Sequence, residues 1–425
     1  MLKAPRGTQD VLPDDAARWH QVEQVARSVF AAYGYREIRT PILEHTELFA
    51  RGVGEHTDVV EKEMYTFEDR SGRSITLRPE GTAPVARAYI EHGMHLWPAP
   101  VKLFYIGPMF RYERPQAGRL RQHHQMGAEA LGSDDPALDA EAILLPMDIF
   151  RRLGLEQFTV KLNSIGCPSC RPAYRQALLE FLRPHAHELC PHCQRRLERS
   201  PLRVLDCKVP GCQELVRQAP PSVEFLCEGC RRHFQAVQDH LRALGVAYQH
   251  DSRLVRGFDY YTRTVFEVQA PQLGAQNAVA GGGRYDGLVE ALGGPPTPGV
   301  GFASGIERAL LAWSQAGQAS LQPGRPGEQG WLDVYVAAAD GPLAGDWVQM
   351  VYRLRRSGVR TEAGPLGKSL KSQLRAADRA GARWVVLVGD APWPAAVRDM
   401  RTGEQQPVSG PDEAAAWLLN QMGRA

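Results

Sequence analysis

The chain has 425 residues, too many for one compact core, and its 43% hydrophobic and 23% charged content is that of a folded globular protein of two to three domains. A formal net charge of +2 excludes nucleic-acid binding by bulk charge, so any such surface must come from local clusters of Lys and Arg. The N-terminal residues lack an apolar stretch of signal-peptide length, and nowhere is there a run of about eighteen apolar residues; a cytoplasmic protein is expected.

Residues 14–33 place Trp19, Val22, Val25, Ala26 and Val29 on one side of a helix that Gly34 closes. Tyr35–Ile38 is extended up to Pro41. Ser74–Arg78 reads as a strand leading through Pro79-Glu80-Gly81-Thr82 into a helix over 83–92, with Thr82 placed to cap it. Val101–Glu113 and His123–Leu131 are β-prone and flank the polar stretch Arg114–Gln122, which predicts a long antiparallel hairpin with a basic loop. Ser133-Asp134-Asp135 starts a helix running to about Leu153. A cysteine-rich segment at about 165–235 carries its own helices. Strands resume at Thr262–Val268 and near Val279, and Gly299–Ala303 passes into a helix through Trp313.

Ser314–Gly330 has linker composition. Beyond it, Leu332–Ala338, Leu343–Arg356, Val359–Glu362, Lys368–Ala380 and Trp384–Val388 alternate strand and helix, the pattern of a small α/β domain built on βαβ units. The part before the linker reads as antiparallel sheet with surrounding helices. The fold class expected is α+β, with residues 1–325 forming a core that carries the cysteine-rich insertion and 331–425 forming the second domain.

Arginines mark the first chemistry. Arg111, Arg114, Arg119 and Arg121 surround the hairpin loop with Glu113 the only acid among them, and guanidinium groups suit polyphosphate oxygens; a solvated basic tip is the plainer alternative. On the return strand Gln125, Gly127 and Glu129 share one face, where the glycine leaves room for a small ligand and a buried carboxylate would need a partner. A merely polar outer face would look the same. Arg256-Gly257-Phe258-Asp259-Tyr260-Tyr261 puts an arginine and two tyrosines beside a strand. Gly281-Gly282-Gly283 is expected as a turn admitting a flat or anionic ligand, without the ending of a P-loop. Arg308 follows Glu307 on an apolar helix, where pairing with that neighbour is the plain expectation. Past the linker, Arg353–Arg383 holds nine basic and two acidic residues. Lys368, Lys371, Arg375 and Arg379 there fall on one helix face opposite Leu370, Leu374 and Ala377.

In order and spacing these segments resemble a known family. Phe110-Arg111-Tyr112-Glu113 and Gly299–Arg308 are similar to the second and third signature motifs of class II aminoacyl-tRNA synthetases. Arg78–Thr82, Arg111–Glu129 and above all Leu254–Tyr261 resemble the histidine-specific histidyl-tRNA synthetase family, over essentially the whole chain from Pro5-Arg6-Gly7-Thr8. The resemblance implies a class II catalytic core, a C-terminal anticodon-binding domain and a homodimer whose first motif lies near Arg39-Thr40-Pro41. It implies ATP-driven activation of histidine, with release of pyrophosphate, and transfer to the 3′ end of histidine tRNA. By the same resemblance Arg111 and Arg256 would hold the α-phosphate and carboxylate, Arg119 and Arg308 the outer phosphates with Mg2+, and Glu80, Thr82 and Gln125 the α-amino group. Glu129 and Tyr261, with Tyr260, would line the imidazole slot, Arg114 and Gln116 would meet the acceptor stem, and the basic helix face would meet the anticodon arm. No side chain stands out as general base for the transfer, for which a phosphate oxygen of the adenylate is expected.

Cys167-x2-Cys170, Cys190-x2-Cys193, Cys207-x4-Cys212 and Cys227-x2-Cys230 have thiolate-pair spacing, and eight ligands would suit two structural Zn2+ centres; small buried residues are the alternative. Two rival readings differ in class. A histidine-sensing regulatory subunit of ATP phosphoribosyltransferase shares such a core but typically lacks the C-terminal domain and parts of the Arg256–Tyr261 segment. A zinc-ribbon nucleic-acid-binding protein would leave the arginines and the polar slot without purpose. Two departures from the family pattern stand out: Phe258 where leucine is common, expected to leave the polar groups undisturbed, and the proline-rich Gly389–Pro394, which bears on anticodon recognition.

Overall fold

The computed structural model describes residues 2–55, 57–115, 118–273, 277–315, 332–338, 343, 345–364, 368–389 and 395–423. Two units, Met1–Ala319 and Ser320–Ala425, account for the chain, and each is built from both helix and sheet.

The first unit opens with helix α1 (Pro13–Ala32), which has Pro at its first position and Asp14 and Asp15 in its first turn, where the helix dipole favours acids. Short strands β1 (Arg36–Glu37) and β2 (Leu43–His45) follow, then α2 (Thr46–Val53), β3 (Tyr65–Glu68), β4 (Ser74–Leu77) and α3 (Thr82–Glu91). The expected hairpin is present as β5 (Val101–Phe110) and β6 (Gln122–Leu131), and α4 (Pro136–Arg152) begins where the Asp135 carboxylate accepts the Ala137 N–H. After β7 (Thr159–Ser164) comes the cysteine-rich segment, with α5 (Arg171–Leu182), α6 (Pro191–Arg199), α7 (Pro210–Val216) and α8 (Glu228–Ala243). Then follow β8 (Tyr248–His250), β9 (Thr262–Gln269), β10 (Ala278–Arg284), α9 (Leu288–Ala291), β11 (Gly299–Gly305) and α10 (Ile306–Gln315).

An eight-stranded sheet in the order β1-β5-β6-β11-β10-β9-β7-β8 organises this unit. Its two edge pairs, β1/β5 and β7/β8, are parallel and all inner pairs are antiparallel. The α+β class is therefore as expected. Strand alternation sends Phe104, Met126, Ala128, Phe266 and Phe302 to one face, where they pack with residues of α1, α4, α8 and α10 into the main core. The other face carries Gln125, Gly127 and Glu129 on β6, paired with Gly305, Ala303 and Gly301 on β11. Gly281 and Gly283 of β10 pair in turn with Ala303 and Gly301. Residues with little or no side chain thus floor this face and leave a trench in the sheet.

Two local expectations are corrected. The triple glycine is not a turn; it lies inside β10, because a Cβ at Gly282 would strike the backbone of Gly301 and Phe302. Glycine has no side chain to show the alternation that marks a strand. Nor does Thr82 cap α3. Glu80 does so instead, its buried carboxylate accepting the N–H of Thr82 and of Ala83 at 2.7 Å each, while Thr82 is the first helical residue.

The second unit contains β12 (Val334–Ala338), α11 (Gly345–Arg356), β13 (Thr361–Ala363), α12 (Leu370–Arg379), β14 (Trp384–Val388), β15 (Ala395–Asp399), β16 (Gln405–Val408) and α13 (Pro411–Gln421). Its sheet runs β13-β12-β14-β15-β16, the first three strands parallel as the alternation predicts. The antiparallel pair β15/β16 and helix α13 extend it beyond the elements read from sequence. Pro407 lies in β16, an edge strand, where the missing N–H costs no ladder bond.

Candidate active site

The glycine-floored trench is closed at its inner end by side chains from five elements. Glu129 is 1% exposed, and its carboxylate accepts the Thr82 hydroxyl at 2.7 Å and the Tyr285 hydroxyl at 2.6 Å. Gly301 is required opposite it, since a Cβ there would run into the carboxylate. Burial pushes the Glu129 carboxyl up to about 8, against the lowering effect of these two hydroxyl bonds. Glu80 is also held above the usual carboxylate range by burial, partly offset by the two N–H groups it caps. Tyr260 and Tyr261 pack ring to ring at 4.6 Å, with Tyr285 at 5.7 Å from Tyr260. Glu80, Thr82, Gln125, Glu129, Tyr260 and Tyr261 all line one cavity of about 300 Å3.

A larger cavity of about 530 Å3 adjoins it and shares Arg111, Arg119, Gln125 and Arg256. Arg308 joins these three expected arginines on its walls, which also carry Arg253. Each is oriented by a different part of the chain. Arg111 donates from Nε to the Pro79 carbonyl at 2.8 Å and faces the Phe258 ring at 5.3 Å. Arg256 Nη1 pairs with Glu267 of β9 at 3.2 Å, and Gly281 admits it, because a Cβ there would overlap the guanidinium. Arg119 lies 3.4 Å from Glu113, and Arg308 donates from Nε to the Ala278 carbonyl at 2.7 Å. The expected local pairing of Arg308 with Glu307 is not made; that carboxylate instead accepts the His124 backbone N–H at 2.9 Å and meets its ring at 3.2 Å. Phe258, where leucine is common in the family, places its ring centroid 5.3 Å from the Arg111 guanidinium.

Two buried polar atoms of residues lining both cavities, Arg256 Nε and Gln125 Oε1, have no hydrogen-bond partner among the described residues. Unpaired buried polar groups are costly, so these two atoms on a cavity wall suit a polar ligand.

These contacts can be set beside known proteins. A family model described as histidyl-tRNA synthetase matches residues 7–309. The chain is 54% identical to the histidine–tRNA ligase of Moorella thermoacetica, over 96% of each chain. It is 53% identical to that of Desulforamulus reducens, over 95% of this chain and 96% of the relative. The chain belongs to the histidyl-tRNA synthetase family. The crystal structure of apo histidyl-tRNA synthetase from Staphylococcus aureus has the same architecture, with a TM-score of 0.80 at 38% identity, covering 98% of this chain and all of that one (100%).

Within this family member, sequence reasoning overlooked four groups at the site. Tyr105 fills the space above Gly127 that had been left for a ligand, since a Cβ at Gly127 or Gly81 would overlap its ring. Tyr285 follows the triple glycine and bonds Glu129. Glu267 pairs with Arg256. His123 lines the larger cavity, where burial and the neighbouring Arg111 push its imidazole down to about 3, leaving it neutral. Alternation along β5 and β9 placed Tyr105 and Glu267 on the trench face, but which face that was depended on pairing across the sheet.

Other expected residues lie elsewhere. Arg114 is exposed on the hairpin loop, outside both cavities, and Gln116 lies outside the described residues. In the second unit Lys371, Arg375 and Arg379 are exposed on α12, whereas Lys368 precedes that helix and is not part of its face. Leu370 and Leu374 pack, partly buried, in one cluster with Ala377 as expected, and Gln373 is buried beside them, donating to the carbonyls of Ala338 and Lys368. Of Gly389–Pro394 only Gly389 is described. The eight cysteines gather into two sets suited to holding a metal ion, Cys167/Cys170/Cys227/Cys230 and Cys190/Cys193/Cys207/Cys212.

Proposed function

We propose that the paired cavities activate histidine, the arginine-lined one taking ATP and the tyrosine-lined one the amino acid. The chain is a histidine–tRNA ligase, an ATP-dependent aminoacyl-tRNA ligase. The observation that carries the site reading is the convergence of Arg111, Arg119, Arg256 and Arg308 on a space continuous with an enclosed carboxylate and phenol slot.

In the first step a histidine carboxylate oxygen attacks the α-phosphorus and the bond to pyrophosphate breaks, giving histidyl-adenylate. Negative charge builds on phosphoryl oxygens, so Arg111 and Arg256, fixed by Pro79 and Glu267, stabilise it without reorganising. Arg119 and Arg308 face the outer phosphates. Mg2+ carried with the nucleotide would share that load, with Glu113 and Glu267 as the carboxylates on the wall of the same cavity. In the second step the 3′-terminal hydroxyl of histidine tRNA attacks the carbonyl and AMP leaves.

Glu80, Thr82 and Gln125 surround the α-amino group. Glu129 accepts an imidazole N–H while Tyr260 and Tyr261 wall the ring, an arrangement that rejects apolar side chains by leaving its own groups unpaired. Arg114 and Gln116 meet the acceptor stem, and residues 331–425 bind the anticodon arm with Lys368, Lys371, Arg375 and Arg379. A homodimer is supported by the apolar Ile42, Leu43 and Phe67, exposed on and beside the β2-β4-β3 sheet next to Arg39-Thr40-Pro41. The cysteine sets hold structural Zn2+, apart from the reaction itself.

The direct test is ATP–pyrophosphate exchange run with each standard amino acid in turn. Stimulation by histidine alone is expected; equal stimulation by an apolar amino acid overturns the slot assignment. The free enzyme should also show its carboxyl. With Glu129 titrating at about 8, kcat/KM for histidine should rise by about 25-fold from pH 6.5 to 8.5 and then level off, because the ionised form accepts the ring N–H. Glu129→Gln should remove that dependence and lower kcat/KM for histidine, and a Glu129→Gln variant with wild-type kcat/KM across the range rules out Glu129 as the ring acceptor.

A further inference from the structure

The cysteine-rich segment carries two side-chain clusters that the aminoacylation chemistry does not use. In each, the four Sγ atoms lie within 4.8 Å of one another, and all eight cysteines are free. Cys167 and Cys170 sulfurs are 3.6 Å apart, Cys167 and Cys227 4.0 Å, and Cys190 and Cys207 3.9 Å. A disulfide would need about 2.05 Å, whereas tetrahedral sulfurs about 2.3 Å from one ion lie about 3.8 Å apart. Backbone N–H groups also point at the sulfurs: Cys227 N–H reaches Cys170 at 3.1 Å, Cys190 N–H reaches Cys212 at 3.2 Å and Cys193 N–H reaches Cys190 at 3.5 Å. Donors aimed at sulfur stabilise thiolates. The first set joins the two ends of the segment, and the second is nested between them, in a stretch of short helices with no strand.

What the second set holds is the more consequential point. Its ligands bracket α6 and the short 3-10 turn Pro201–Val204. From these two elements Arg196 and Arg203 converge on one carboxylate, Asp58; Arg203 does so at 3.3 Å. Arg203, only 9% exposed, donates from its other nitrogen to the backbone carbonyl of Arg256 at 3.1 Å. Immediately beyond it Leu205, Asp206 and Cys207 form part of the wall of the arginine-lined cavity.

We propose that each set binds one Zn2+ through four thiolates, and that the ion in the Cys190 set fixes Arg203 against the Arg256 carbonyl, making Arg203 a positioning residue for the adenylate site. Binding displaces the thiol protons to solvent and involves no redox change. The Cys167 set tethers the segment's ends. The positioning half rests on the adenylate-site reading above, while metal content stands apart from it.

Full-length protein purified without chelator should contain two zinc ions per chain, and its cobalt-substituted form should show thiolate charge-transfer and tetrahedral d–d bands. Cys227→Ser and Cys190→Ser should each retain one. One zinc or none in the wild-type protein overturns the two-site proposal. Arg203→Ala should keep both zinc ions and lower kcat for histidine-dependent exchange about tenfold, as expected for a lost charged hydrogen bond, with both KM values unchanged. Arg203→Lys should recover most of the rate. An unchanged kcat in Arg203→Ala overturns the positioning role. Absence of histidine-dependent exchange in the wild-type protein would count against the functional reading and leave the zinc count unaffected.

Discussion

Arg256→Ala should reduce histidine-dependent ATP–pyrophosphate exchange by about a thousandfold, about 4 kcal/mol of transition-state stabilisation, with the loss chiefly in kcat. The guanidinium is recessed, with 24% of the side chain exposed, and it is held by Glu267 rather than by solvent. Burial opposes its charge, yet Tyr261 and Glu267 keep it above the ordinary arginine range, so the cation is preorganised before substrate arrives. Truncation removes the charge and leaves Glu267 beside the phosphates, where its repulsion adds to the deficit. The Gly281 floor needs no adjustment when the larger side chain is gone, so far-ultraviolet circular dichroism should be unchanged. Exchange within tenfold of wild type would show that Arg256 does not meet the reacting phosphate.

Gly301→Ala tests the slot from the opposite direction, by adding an atom. The new Cβ would overlap the Glu129 carboxylate and approach the Ala128 carbonyl at 2.5 Å, so the carboxylate must leave its bonds to Thr82 and Tyr285. A displacement of about 1 Å at a positioning group costs about a hundredfold in kcat/KM. That loss should appear in kcat/KM for histidine, while KM for ATP changes little, because Gly301 and Glu129 line the smaller cavity and not the arginine-rich one. Overpacking should also lower stability by about 1–3 kcal/mol, read as an earlier urea midpoint. Wild-type kcat/KM for histidine in this variant would show that Glu129 does not touch the substrate.

The structure also separates the rival readings by geometry. A zinc-ribbon nucleic-acid binder has no use for five guanidiniums around one cavity beside a buried carboxylate, yet both are present in one unit. The chain's coverage of full-length histidine–tRNA ligases, including the second unit, disfavours a regulatory subunit lacking that part.

Much of the hairpin, the order of elements and the alternating second unit could be read directly from sequence, because β-branched and aromatic runs, glycine stops and helical spacing are local properties of the chain. Arg111, Glu129 and Arg256 stood out only as charged groups near strands, each weak by itself, and their expected roles came from the order and spacing in which the segments resemble histidyl-tRNA synthetases. Partners were another matter. That Glu80 caps α3 rather than Thr82, that Glu307 turns to His124 rather than Arg308, that Tyr105 occupies the space above Gly127, and that Tyr285 bonds Glu129 all depend on contacts between residues far apart in the chain. The triple glycine shows the same limit, since its place inside β10 is set by how closely β11 approaches, and glycine itself carries no pattern. Sequence determined which chemical groups this chain possesses and which segments are stiff, whereas only the folded sheet, by fixing strand register, decided which of those groups share a face and therefore act together.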